Sequence, residues 1–251
     1  MNVLAIDVGG TNIKILATGQ TEPRKFPSGP EMTPQDMVTG VRDLASDWQY
    51  DVVSIGYPGM VRRGRIVADP HNLGHGWVGF DFVAAFNCPV KLINDAAMQA
   101  LGSYQGGKML FLGLGTGLGS ALVVDGMVVP LELARLSYQK ATLEDYVGAR
   151  GLLRLGKRKW RRHVFFSFGK LIEALFPDDV VLGGGNVTKL KELPPGCRAG
   201  SNANSFVGAF RLWESSTDPT KSTDVISIDT PPSEAQPSDT PPSEPAPSLE
   251  V

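Results

Sequence analysis

Asp7-Val8-Gly9-Gly10-Thr11-Asn12-Ile13-Lys14 and Gly113-Leu114-Gly115-Thr116-Gly117-Leu118-Gly119-Ser120 are the two stretches whose reading decides the fold. Each glycine turn lies between two apolar runs, 3–6 and 13–17 around the first, 109–112 and 121–124 around the second. Apolar run, glycine turn, apolar run predicts a β-hairpin, and the glycines permit positive φ and close approach to a ligand. Backbone N–H groups exposed by such turns form anion-binding concavities. Two of them in one chain, each with a hydroxyl residue, point to a chain of phosphates gripped from two sides.

Outward from these turns the chain alternates strands and helices. A proline-rich loop is expected over 23–34. A helix is expected over 34–48, with Thr33 as N-cap, Pro34 at the first helical position and Met37, Val41, Leu44 and Trp48 on one apolar face. Residues 52–56 and 90–93 read as buried strands, the second followed by Asn94-Asp95 and a helix over 96–104. Asp125-Gly126 between two apolar runs predicts a two-residue hairpin. A helical stretch over 142–176, a strand at 179–182 leading into Gly183-Gly184-Gly185-Asn186, and a closing helix over 204–213 complete the pattern of an α/β protein.

The chain has 251 residues, enough for a sizeable core and two lobes, expected at 1–108 and 109–214. Residues 215–251 hold eight prolines and repeat Asp-Thr-Pro-Pro-Ser-Glu at 229–234 and 239–244, the composition of a disordered tail. With seven acidic residues and one basic, that segment carries −6 of a total of −2, which leaves +4 on the remainder. Cys88 and Cys197 are far apart and without C-x-x-C spacing, which argues against a disulfide scaffold and a cysteine zinc site and fits a reducing cytosol. No signal peptide follows Met1 and no apolar stretch reaches the ~20 residues of a membrane span, so a soluble cytoplasmic protein is expected.

Phosphoryl transfer to a hydroxyl needs a cradle for the donor phosphates, a metal to neutralise charge and a base on the acceptor. Asp7, at a strand end, suits Mg²⁺ held through water. Thr11 and the backbone of Gly9, Gly10 and Asn12 face the phosphates, with Lys14 adding charge. A plain tight hairpin with Asp7 as a turn residue explains the same pattern. Asp95, after one strand and before a helix, is the candidate base, since open α/β sheets bind ligands at the carboxyl ends of their strands. As a lone residue it favours an N-cap, a role that does not exclude catalysis. Asn72, Asn94, Glu132 and Glu144 are candidates for reading sugar hydroxyls, although each alone reads as a surface or turn residue. His71 and His75 lack a third ligand and read as loop histidines. Seven basic residues and no acidic one lie between Arg150 and Arg162. Such a run is either a solvated helix face or a polyanion-binding one, and no nucleic-acid-binding signature accompanies it.

Together, these motifs with Ile93-Asn94-Asp95-Ala96 and Leu182-Gly183-Gly184-Gly185-Asn186 resemble the phosphate and nucleotide motifs of the ROK sugar kinases, within the actin-like ATPase superfamily. Four further segments resemble the polyphosphate glucokinases: Leu143-Glu144-Asp145-Tyr146-Val147-Gly148, residues 157–164, residues 189–196 and Phe210-Arg211-Leu212-Trp213-Glu214. The likeness spans 1–214. It implies two ribonuclease-H-like lobes around a central cleft and a homodimer. It implies Asp95 as the base on the sugar's 6-hydroxyl, with glucose held by Asn72, Asn94, Asp95, Glu132 and Glu144. Asp7, Gly9, Gly10, Thr11, Asn12, Lys14, Gly115, Thr116 and Gly117 would hold the phosphates of polyphosphate or ATP with Mg²⁺. Gly183, Gly184, Gly185 and Asn186 would hold the nucleotide. No structural zinc, nucleic acid or membrane partner is implied.

One stretch departs from the family pattern Glu-x-Gly-His, whose histidine contacts the sugar: here it reads Glu132-Leu133-Ala134-Arg135. Arginine is larger, permanently charged and offers no acceptor nitrogen. Alanine for glycine would shift the backbone if the position needs positive φ. The departure opens two alternatives: a non-catalytic sugar- or phosphate-binding relic, or a kinase for another sugar.

Overall fold

The computed structural model describes residues 1–201 and 203–214; the tail expected at 215–251 lies outside them. In chain order the elements are β1 (Val3–Val8), β2 (Asn12–Ala17), β3 (Arg24–Pro27), α1 (Pro34–Leu44), β4 (Val52–Tyr57), β5 (Val61–Arg62), β6 (Arg65–Ile66), α2 (Phe82–Phe86), β7 (Val90–Asn94) and α3 (Asp95–Ser103). They continue with β8 (Lys108–Leu114), β9 (Leu118–Val124), β10 (Met127–Leu131), β11 (Ser137–Tyr138), β12 (Ala141–Thr142), α4 (Glu144–Val147), α5 (Ala149–Leu175), β13 (Asp179–Gly183), β14 (Cys197–Ala199) and α6 (Asn204–Arg211).

Two five-stranded sheets repeat one plan. The first is ordered β3-β2-β1-β4-β7 and the second β10-β9-β8-β13-β14. In each, three strands joined by hairpins run antiparallel and two more add on in parallel. The two glycine turns therefore occupy equivalent positions, each joining the central strand of its sheet to the next. This is the two-lobed ribonuclease-H-like α/β architecture that the family resemblance implies. β4 is buried along its whole length and β1 everywhere but Asp7, as strands covered on both faces require.

Between the sheets lie α3 and α6, packed with Ala5, Ile93, Met109, Phe111, Val123 and Val181 in one apolar cluster. The two helices touch backbone to backbone at Gly102 and Gly208, where any Cβ would collide with the other helix. Ser54 Oγ on β4 donates to Ala209 O at 2.7 Å and accepts from Trp213 Nε1 at 2.8 Å, tying the end of α6 to the first sheet.

Several elements differ from expectation. Residues 24–27 form a strand inside the stretch read as a proline-rich loop, pairing with β2. The helix begun at Thr33, with a full capping box to Asp36, ends at Leu44 rather than Trp48. There Arg24 donates to Leu44 O, pairs with Asp47 and lies 4.1 Å over the Trp48 ring, turning the chain back. The helical stretch expected over 142–176 divides into α4 and α5 at Gly148, which is extended, and is kinked again at Gly156, at φ 70°. Asp125 (φ 50°) and Gly126 (φ 81°) make the expected tight hairpin, while Arg63-Gly64 makes a second with the same signs of φ.

Candidate active site

Asp7 stands at the carboxyl end of β1, opposite Lys14 on β2 and Gly56 on β4. Lys14 Nζ lies 3.8 Å from its Oδ2, and Ser205 Oγ of α6 lies 3.5 Å from the same oxygen. Burial raises the Asp7 carboxyl above its ordinary value against the opposing pull of Lys14 and Ser205. The turn after Asp7 closes through Gly9 N–H to Asn12 O at 3.1 Å. Ser28 braces it from outside, donating from Oγ to Gly9 O at 2.6 Å and from its N–H to Thr11 O at 3.0 Å. Gly10 and Thr11 remain exposed at the tip. A Cβ on Gly10 would press on Asn72 Cβ at 3.1 Å, so the missing side chain brings the Asn72 loop against the turn.

Asp95 opens α3. The cap of that helix is not Asp95 but Asn94, whose side chain accepts from Ala97 N–H at 3.1 Å. The Asp95 carboxylate accepts from the adjacent Ala96 N–H at 2.7 Å and from its own backbone N–H. Burial, joined by the charge of Asp7, pushes Asp95 up to about 7. Asn94 spends its amide on Gly59 O, 3.0 Å away, which fixes the turn after β4. One Asn94 N–H then remains to meet a ligand.

The second glycine turn meets α3 directly: a Cβ on Gly119 would lie 2.6 Å from Ala96 Cβ. Asn186 Nδ2 donates to Gly115 O at 2.8 Å, and Gly184, at φ 84°, sits against the Leu114 backbone. The Gly183-Gly184-Gly185-Asn186 motif and the Gly115-Thr116-Gly117 turn thus form one unit. Neither site turn uses positive φ at Gly9, Gly10, Gly115 or Gly117; among the site glycines only Gly184 does. This corrects the expectation of positive φ at those four positions; at Gly9, Gly10 and Gly117 glycine provides space rather than handedness, while a Cβ on Gly115 would meet no neighbour. Glu144 fills the space under Gly117, accepting from Leu118 N–H at 3.0 Å with Arg150 3.8 Å away. Thr116 O accepts from Ala149 N–H at the start of α5.

The four candidates for sugar hydroxyls are distributed over three places. Asn72 abuts Gly10, Glu144 lies under the second turn, and the other two border Gly59-Met60, Asn94 directly through Gly59 O and Glu132 only through its partner Arg135. Glu132 is engaged by Arg135, whose Nε is 3.5 Å from Oε2 and whose Nη2 is 3.4 Å from Met60 Sδ. Ala134 lies in a 3-10 turn over Leu133–Arg135 without positive φ, so alanine fits there unstrained. Ser120 holds that turn in place, donating to Leu131 O at 2.9 Å and accepting from Leu133 N–H at 3.2 Å. Asp69 organises the loop carrying Asn72 by accepting from Trp77 N–H at 2.9 Å and Val78 N–H at 3.3 Å. Ser28, Met60, Asp69 and Ser120 were not singled out from sequence, because each acts through a fold-dependent contact with the backbone or side chain of a distant residue.

Among the described residues, no group of three or more His, Cys, Asp or Glu side chains gathers to hold a metal. Mg²⁺ needs no such group, since it keeps several waters and binds through one or two carboxylates and substrate phosphates. Asp7 and Asp95, close enough for one charge to raise the other, fit that demand beside an exposed glycine turn. No helix among the described residues is long and apolar enough to cross a membrane.

Two glycine hairpins at equivalent strand ends, with Asp7 closing β1 and Asp95 following β7 on the other side of β4, mark an α/β protein built from two matching sheets. The chain belongs to the ROK family, which matches residues 3–130. It is 34% identical over 145 residues to an N-acetylmannosamine kinase of Shigella flexneri, a match covering 51% of this chain and 50% of that protein. The chain spans about half the length of the curated relatives it matches. Among solved structures it is similar to the inorganic polyphosphate/ATP-glucomannokinase of Arthrobacter sp. strain KM, with TM-score 0.71 and 24% identity over 83% of this chain and 96% of that one. A ROK family glucokinase of Streptomyces griseus, in complex with glucose and AMPPNP, gives TM-score 0.68 and 17% identity over 84% and 99%. At these identities the structural likeness speaks for the fold alone.

Proposed function

We propose that this chain is a sugar kinase that moves the terminal phosphoryl group of polyphosphate or ATP to the 6-hydroxyl of glucose. The observation that carries the reading is Asp95: Asn94 caps α3 in its place, leaving the carboxylate within reach of the Asp7 charge, beside Ala96, which packs on Gly119, and with its pKa at about 7. A general base works best when its pKa lies near the operating pH. Asp95 takes the hydroxyl proton as the sugar oxygen attacks phosphorus, and the donor's bridging P–O bond breaks to release the shortened donor. Gly9, Gly10, Thr11, Asn12 and Lys14 hold the phosphates from one side, and Gly115, Thr116 and Gly117 from the other. Gly183, Gly184, Gly185 and Asn186 seat the nucleotide, and Asp7 would hold Mg²⁺ through water, an ion that would neutralise phosphate charge. Asn72, Asn94, Glu132 and Glu144 hold the sugar. Residues 1–108 and 109–214 act as the two lobes of each subunit, and two subunits form a cytoplasmic homodimer.

A second reading has a different acceptor. The Glu132–Arg135 pair occupies a carboxylate that the first reading gives to the sugar, and the relatives named N-acetylmannosamine kinase support an acetamido sugar in its place. One experiment separates the readings: purified protein assayed with glucose, mannose and N-acetylmannosamine against polyphosphate and ATP. Glucose 6-phosphate formed with either donor, and lost in D95N, supports the first. Turnover of N-acetylmannosamine alone supports the second. No product in any combination leaves the non-catalytic relic as the surviving account.

A further inference from the structure

The basic run on α5 divides into engaged and unengaged residues. Arg150 pairs with Glu144, Arg154 donates to Asp145 O at 2.7 Å and covers the Tyr146 ring, and Arg161 donates to Lys189 O at 2.8 and 2.6 Å. Lys159 and Arg162 are exposed and form no hydrogen bond or ion pair with a described residue. They share one stripe of the helix with His163 and Phe166, spaced i, i+3, i+4 and i+7, while Trp160, Val164 and Phe168 face the core. Opposite the stripe stands the β11–β12 hairpin. Its Tyr138 hydroxyl is 3.0 Å from His163 Nδ1, and the Tyr138 ring packs 6.4 Å from Phe166. With Gln139 at the hairpin turn, these six residues line an open groove of about 450 Å³ that holds no carboxylate.

Two like charges three residues apart on a helix repel one another, and an anion between them relieves that cost. The guanidinium matches two phosphate oxygens at once, and the ammonium adds a compact charge. Burial, with Arg162 and Arg154 nearby, holds His163 below the ordinary histidine value, so it faces the groove as a neutral hydrogen-bonding ring. Gln139 supplies an uncharged amide. We propose that this groove is a second phosphoanion site, apart from the glycine turns, taking an oligophosphate chain or the phosphates of a nucleotide. Phosphate is the chemistry both ligands share. The Tyr138 and Phe166 rings offer a face on which a nucleotide base would also stack.

The test places a reporter in the groove. F166W protein is titrated with tripolyphosphate, ATP and adenosine while its fluorescence is followed. Tripolyphosphate is expected to give a saturable change, and K159A/R162A in that background is expected to weaken it by about ten-fold or more, as loss of two charge-assisted contacts implies. R162K, which keeps the charge and loses the planar fork, should fall between, with far-UV circular dichroism unchanged throughout. Tighter binding of ATP with competition by adenosine identifies a nucleotide; tripolyphosphate binding untouched by adenosine identifies the chain alone. No saturable response to tripolyphosphate or ATP, or equal affinity in K159A/R162A, overturns the proposal.

Discussion

Asp7 lies close enough to Asp95 for its charge, added to burial, to lift the Asp95 carboxyl to about 7. Removing that charge must therefore bring Asp95 down. In D7N the Asp95 titration, followed by carbon NMR of the free protein, is expected to move to lower pH. In the unmodified protein the acidic limb of kcat/KM should fall near 7, because only the ionised carboxylate accepts a proton. D95N should lose about 10²-fold or more in kcat, the usual worth of a general base. An Asp95 titration unmoved in D7N would remove the coupling between the two.

The same carboxyl makes stability depend on pH. An unfolded aspartate titrates near ~4, whereas folded Asp95 titrates at about 7. The neutral form is favoured in the folded state, so the contribution to stability is full below about pH 4 and is lost as the pH rises through about 7. D95N, which cannot ionise, should match the parent at pH 4 and exceed it at pH 8. Because Asp95 is partly exposed to solvent, the gain is discounted to roughly 1–2 kcal/mol, or about 2–6 °C in Tm. Thermal unfolding of both proteins at the two pH values measures it, and an equal gap at both would exclude this origin.

Both hairpins are legible in the sequence because apolar runs around glycine have few other structures open to them. The site is legible to the level of residue type and strand end, as with Asp7 and Asp95. What the pattern leaves open is which of two adjacent residues takes which task. Asn94 and Asp95 both suit an N-cap, and only the packing of α3 between the sheets decides for Asn94. The break at Gly148 is hidden for the same reason. A Cβ there would meet Glu144 O at 2.9 Å and Thr116 O at 3.1 Å, and Thr116 O, which also accepts from Ala149 N–H, is distant in sequence and adjacent only once the second sheet has formed.

Arg135 is the place to test the acceptor. Its guanidinium is tied to Glu132 and reaches Met60, so an incoming neutral sugar must displace it before using that carboxylate. R135A is expected to lower KM for a neutral hexose about three- to ten-fold, with kcat little changed, the pattern of an altered ground-state contact. R135H should lower KM further if the imidazole gives the sugar a partner. Steady-state kinetics of the three proteins decide it. A KM that rises in R135A would make Arg135 a sugar contact instead.

Asn94 separates capping from sugar binding by its two ends. Its oxygen caps α3 and its amide nitrogen holds Gly59 O. N94D keeps an acceptor for the cap while giving up the donor, so its Tm should stay near the parent's. N94A loses both and should cost about 1 kcal/mol through the cap alone. Both should raise KM for the sugar, because the turn at Gly59-Met60 is released. Unfolding curves beside kinetics distinguish the two ends, and an N94D protein as unstable as N94A would show the Gly59 bond to be the stabilising one.

Gly184 carries the last test, on the donor side. Its φ of 84° strains any side chain, and a Cβ there would lie 2.5 Å from the Leu114 carbonyl. G184A must move either β13 or the turn that begins at Leu114, at a cost of about 2–4 kcal/mol. Because Asn186 on the same segment holds Gly115 O, that movement reaches the phosphate turn. N186A removes only that hydrogen bond, worth about 1 kcal/mol, and leaves the strand in place. N186A is therefore expected to raise KM for ATP several-fold while Tm falls little, and G184A to lose both. If N186A binds ATP as the parent does, Asn186 braces the turn without shaping the donor site.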